Sequence, residues 1–186
     1  LFDRIVYRLL SRFTYSKGLL DISQFGFRPG RSTTDFNNSR LLELEGVKEF
    51  AILNVGIKGA FNFLSPRLLL DVVNSLPPFH YSIFLSYTLK RQVELWCGPI
   101  SSRACIFCPV PQGGICSPLI LNLCLAFVTA RLRPLLNNVT TLYAYADDHS
   151  PTVFSGNLAH ITEVVDAVTT AITEADVTIS PKTEIL

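Results

Sequence analysis

The sequence predicts an α+β domain, and three observations carry that prediction. Apolar residues switch irregularly between helical and strand spacing, without the strict alternation of a βαβ repeat. Two pairs of strand-like segments flank short turns, one at Gly98-Pro99 and one at Asp147-Asp148. Hydrophobic residues make up 48% of the 186 positions and aromatics 11%, enough for a packed core and against general disorder. The length suits one domain, or part of a larger one.

The elements follow in chain order. Ile5, Val6, Leu9, Leu10 and Phe13 share one helical face. Residues 24–34 contain Gly26, Pro29 and Gly30 and form a loop. Residues 50–57 are mostly apolar and form a buried strand. Ser65-Pro66 starts a helix, with Ser as N-cap and Pro at the first position, and the helix ends before Pro77-Pro78. A second helix covers about 81–89. Strands at 92–97 and 103–110 precede the break at Pro111-Gln112-Gly113-Gly114. Ser117-Pro118 opens another helix, reaching about Leu132. Residues 139–146 are a strand, Asp147-Asp148 a tight turn, and 151–154 the returning strand. A helix at 158–175 and a short strand at 177–180 complete the pattern.

Composition narrows the function. The longest apolar run, 119–128, is broken by Asn122 and falls short of the roughly 18 residues of a membrane helix, so no membrane partner is expected. The opening LFDRIVYRLL is charged throughout, unlike a secretory signal. The chain starts at Leu and has no Met, and reads as a piece of a longer product. Its five cysteines are odd in number and irregular in spacing, which argues against a disulfide framework. Cys105 and Cys108 form a CxxC with no second pair, too few ligands for zinc. Reduced thiols point to an intracellular protein, nuclear or cytoplasmic. Net charge is +1, but residues 1–40 hold seven basic groups against three acids. That bias suits a phosphate-bearing partner, while Arg4, Arg8 and Arg12, four apart, equally suit a solvated helix face.

Asp147 and Asp148 stand side by side in a chain with few charges. Taken alone, the dipeptide reads first as a polar turn. Paired carboxylates on a hairpin tip are also hard oxygen ligands for Mg²⁺, with Mn²⁺ as an alternative.

The dipeptide has company. QFGFRPGRSTT at 24–34, GIKGAF at 56–61, PVPQGGICSPLILNL at 109–123, YADD at 145–148 and SPKTE at 180–184 occur in this order. Together they resemble reverse transcriptases, RNA-directed DNA polymerases of the nucleotidyltransferase class. The SPRLLL run at 65–70 is more similar to the non-LTR, LINE-type retrotransposon enzymes than to retroviral ones. The resemblance implies a right-hand polymerase fold, with about 1–50 mainly fingers and about 51–186 mainly palm with finger insertions. The palm is then an antiparallel sheet backed by helices. The thumb and the other domains of a parent polyprotein are missing from this stretch.

It also implies roles. Asp147 and Asp148 become metal ligands and catalytic residues, and Lys182 a proton donor to pyrophosphate. Arg28 and Arg31 meet triphosphate or template phosphates. Lys58 belongs to the first palm motif, and Phe61 becomes the gate that rejects a ribose 2′-OH. Gln112 and Gly113 lie along the incoming nucleotide. The implied partners are an RNA template, a DNA primer and deoxynucleoside triphosphates. One expected residue is absent. Family members carry an Asp two residues before the motif lysine, and here that position is Gly56. Asn54 is neutral and off the spacing, and Asn62 replaces a further family acid. The expectation is a reverse transcriptase domain with activity impaired or lost. The alternative is a non-catalytic nucleic-acid-binding derivative or a decayed retroelement fragment.

Overall fold

A computed structural model describes residues 2–61, 64–88, 91–106, 110–136 and 140–186. In chain order the helices are α1 (Phe2–Ser16), α2 (Thr33–Leu44), α3 (Pro66–Asn74), α4 (Pro78–Thr88), α5 (Ser117–Leu132) and α6 (Leu158–Glu174). The strands are β1 (Ala51–Gly56), β2 (Arg91–Cys97), β3 (Ile100–Ile106), β4 (Thr140–Tyr145), β5 (Asp148–Val153) and β6 (Glu184–Ile185). The fold is mixed, as the sequence predicts, with an antiparallel sheet in the order β4-β5-β1-β6 and a separate β2-β3 hairpin.

Strand β1 alternates, with Ala51, Leu53 and Val55 buried and Ile52, Asn54 and Gly56 on the more open face. Behind the sheet lie α3, α5 and α6. Helix α5 is the spine of the core, with Leu119, Ile120, Leu121, Leu123 and Leu125 almost fully buried. With the following 3₁₀ turn it spans Ser117–Leu135, 19 residues of mean hydropathy 1.3, long and apolar enough to cross a membrane by length and composition. The apolar run at 119–128 lies inside this helix, which ends at Leu132 as the sequence predicts. More than half of it is covered by the protein itself, as a core helix requires.

Other differences have local causes. Helix α2 goes unanticipated because it has no buried residue and no apolar stripe. Its start is set by a capping box, in which the Ser32 hydroxyl accepts from Asp35 N–H and the Asp35 carboxylate accepts from Ser32 N–H. Phe36 then packs edge-on against Phe25, Tyr143 and Tyr145, which seats the helix beside β4. Strand β5 starts at Asp148 rather than at 151 and carries Pro151 through its middle. Pro151 opposes Leu142 on β4. On the β1 side the pairs Ile52–Thr152 and Val55–His149 hold register, with no pairing between them. The strand expected at 177–180 is a single bridge, Ile57 to Ile179, and β6 follows it. Asn62, Cys108 and Pro109 lie outside the described residues.

Candidate active site

The β4–β5 hairpin turns through Ala146 and Asp147. Ala146 holds a left-handed φ of +54°, a conformation that costs an L-residue about 1 kcal/mol. Asp148 opens β5, paired with Tyr145 on one side and with Gly56 on the other. The Asp147 carbonyl accepts from Ile57 N–H at 3.2 Å, fixing the turn against the end of β1. A Cβ on Gly56 would lie 3.2 Å from Asp148 Oδ1 and 3.3 Å from Ser180 Cβ.

These residues line a cleft of about 710 Å³. Its floor includes Asn54, Gly56, Asp148 and Ser150, with the Ser150 hydroxyl 3.1 Å from Asn54 Oδ1. One wall is α2, through Thr33, Phe36, Asn37 and Arg40, whose spacing defines a single helical face. The other wall carries Lys58, Ser180, Lys182 and Glu184. The Arg40, Lys58 and Lys182 charges formally balance those of Asp147, Asp148 and Glu184. Partial burial pushes the Asp148 carboxyl above its usual range, the neighbouring Asp147 charge adds to this, and Lys182 opposes it.

The cleft thus joins Asp147, Asp148, Lys58, Lys182 and Gly56, all flagged in the sequence. Arg28 and Arg31 lie outside its lining. Their guanidinium groups instead turn onto carbonyls of the loop at 21–24. Arg28 Nη1 donates to Asp21 O at 2.6 Å. Arg31 Nη1 donates to Ile22 O and to Gln24 O, with its guanidinium over the Phe25 ring. Phe61 does not line the cleft either. It packs against the core, its ring 6.2 Å from Phe27 and nearly perpendicular to it. Gln112 is exposed, and Gly113 has φ +85° in the loop before α5. Sequence reasoning missed that Arg40, Ser150 and Glu184 line the cleft. The capping box, followed by polar groups at helical spacing, was the available signal for the α2 wall.

A family model described as reverse transcriptase (RNA-dependent DNA polymerase) matches residues 2–186. The chain belongs to that family. Two telomerase structures share the fold. One, from Candida albicans in complex with a TWJ fragment of telomeric RNA, has a TM-score of 0.57 and 10% identity over 98% of this chain and 33% of that one. The other, apo telomerase from Candida tropicalis truncated from its C-terminal domain, has a TM-score of 0.59 and 13% identity over 99% of this chain and 40% of that one. The reverse transcriptase domain here thus spans about a third to two fifths of those chains. A comparison with curated proteins gives no match. The architecture is that of polymerase fingers and palm.

Reverse transcriptase domains use divalent metal ions, and the residues present fit one such ion. Mg²⁺ is commonly held by one or two carboxylates, with water and phosphate oxygens completing its shell. Asp147 and Asp148 offer such a pair, and their mutual repulsion is what a cation relieves. Gly56 offers no oxygen from a side chain. Among the described residues, no group of three or more His, Cys, Asp or Glu is placed to hold an ion by itself.

Proposed function

We propose that this reverse transcriptase domain is built for template-directed DNA synthesis from a primer 3′-OH, and that Gly56 leaves it with little or no activity. The observation that carries the reading is the Gly56–Asp148 pair, where a side chain at 56 would enter the cleft beside the Asp148 carboxylate. A divalent metal ion, when bound, would activate the attacking oxygen or stabilise the leaving one. Asp147 and Asp148 would hold the metal. Arg40 and Lys58 draw in the triphosphate, and Lys182 protonates the departing pyrophosphate. Phe61, Gln112 and Gly113, which the family resemblance assigns to the nucleotide, do not line this cleft and carry no role in this reading. With glycine at 56, a side-chain carboxylate that would help hold the metal is missing. Losing a ligand of this kind commonly lowers rate by several powers of ten.

The order of the five motifs and the SPRLLL run support a non-LTR, LINE-type retrotransposon origin. In this reading the template is RNA, the primer is DNA, and the thumb and further domains of the parent polyprotein lie outside residues 1–186. The setting is intracellular.

A second reading, a non-catalytic nucleic-acid-binding derivative, draws on the balanced charges of the cleft, where three cations offset the carboxylates without metal. Mg²⁺-dependent primer extension on an RNA template separates the two. The unaltered chain and Gly56→Asp are each joined to the thumb of an active reverse transcriptase. Extension only by Gly56→Asp supports the first reading. Equal extension by both shows that position 56 is not a metal position. Salt-sensitive RNA binding with no extension by either favours the second.

A further inference from the structure

We infer that Gln24 is a positioning residue for the Asp147–Asp148 turn, an inference that rests on the metal-site reading above. The Gln24 side chain is buried, at 4% exposure, although it belongs to a surface loop. Its Nε2 donates to Ala146 O at 2.9 Å, and its Oε1 accepts from Ala146 N–H at 2.8 Å. One carboxamide thus engages both polar backbone atoms of the residue that precedes Asp147, as a neighbouring strand would. The same Oε1 accepts from Gly26 N–H at 2.8 Å, which locks the loop onto itself.

The surroundings are built for this contact. Phe25 N–H donates to Ala144 O at 2.7 Å, and Ala144 N–H donates to Ser23 O at 2.9 Å, so residues 23–25 lie along β4 like a short extra strand. Gly26 has no side chain because a Cβ there would lie 2.2 Å from Ala146 N. From behind, Asn122 Nδ2 on α5 donates to Gly26 O at 2.9 Å. The residue that receives all this support is Ala146, in its left-handed conformation. Left-handed backbone in a residue other than glycine persists where surrounding contacts over-determine it. Without the carboxamide, Ala146 relaxes toward ordinary backbone angles, and the next two residues, the two carboxylates, turn with it. Gln24 touches neither metal nor nucleotide. It acts through the peptide geometry of Ala146.

The test uses Gln24→Leu, which removes the polar end, and Gln24→Asn, which keeps polarity but is one methylene too short to span the gap. Amide hydrogen exchange and Mn²⁺ binding by electron paramagnetic resonance are measured on the unaltered chain and on both variants. The expected result is lost protection at the Ala146 amide and Mn²⁺ binding weakened about tenfold or more, the usual scale for a residue that orients a ligand. The Val164 and Val168 amides in α6 keep their protection. Mn²⁺ affinity within about twofold of the unaltered chain overturns the inference, as does a parallel loss of protection in α6, which marks a general folding role. If the unaltered chain binds no Mn²⁺, the metal reading fails. The Ala146 amide then decides alone, since its release in the variants supports the inference and its retention overturns it.

Discussion

Gly56 and Asp148 face each other across the β1–β5 ladder, and a Cβ on Gly56 would stand 3.2 Å from the Asp148 carboxylate. A third acid placed there joins two that already repel. Gly56→Asp is expected to lower the Tm without divalent ions, at a cost of about 1–2 kcal/mol for tight packing and like charge. In millimolar Mg²⁺ the order reverses, because an ion that binds only the folded state stabilises it. Scanning calorimetry with and without Mg²⁺ checks this. A Tm unmoved by Mg²⁺ in the variant removes position 56 from the metal face.

Asp148 titrates above its ordinary value of 3.8, through partial burial and then Asp147. Its ionised form is therefore disfavoured in the fold. The penalty is absent below the unfolded pKa, grows as pH rises from there through the raised folded value, and is complete above it. Asp148→Asn should raise the Tm at pH 7 and lose that gain below about pH 4. Melting curves across pH read this directly, and a gain that persists in acid contradicts it.

Arg40 lines the cleft, whereas Arg28 serves loop carbonyls. Arg40→Ala should weaken deoxynucleoside triphosphate binding about tenfold, one charge-assisted contact, with little change in stability. Arg28→Ala should do the reverse, costing about 1 kcal/mol of stability, one hydrogen bond, since Asp21 O keeps Gln24 N–H and Gln24 O keeps Arg31. Fluorescent nucleotide titration beside urea denaturation separates the two. Equal effects of both substitutions on binding argue against the placement of the cleft.

Gly26→Ala puts a methyl group into the Ala146 backbone. Neither segment has a flexible end to move aside. A loss of about 3 kcal/mol or more is expected in chemical denaturation, at the upper end of overpacking costs. A loss under about 1 kcal/mol means that the loop sits farther from the turn.

Thiol chemistry offers a check on the core. Cys97 is exposed at the β2–β3 tip, while Cys116 and Cys124 are buried, and burial pushes the Cys124 thiol well above its usual range. Among these three, only Cys97 should react rapidly with a disulfide reagent at neutral pH. Peptide mapping after brief labelling identifies the site, and early labelling of Cys124 contradicts the packing of α5.

Much of the fold was legible because burial writes itself as periodicity. Strand β1, the Ser65 cap of α3 and the apolar α5 each carry a signal within a few residues. Helix α2 carries none of that kind, since Phe36 docks it through aromatic edges from β4 and from the loop before it. The acids at 147 and 148 and the gap at 56 were legible because ligand chemistry depends on residue type. The orientation of Arg28 and Arg31 was not, because it depends on which loop carbonyls the folded chain brings within reach. Glu184 escaped notice for a related reason: only the β1–β6 register sets it opposite Asn54.

Pro151 has no N–H to give to either neighbouring strand, and the β1–β5 pairing lapses beside it, between Ile52–Thr152 and Val55–His149. The seam is divided there into two short zippers. Both reach the core, the inner one through Val153 and the outer one through Val55 and His149, so only the last pair, Gly56 and Asp148, stands beyond it. Fraying of the β1–β5 seam is therefore confined to its last rung, and the carboxylate end of the palm can loosen there while the buried pairs on both sides of Pro151 stay closed.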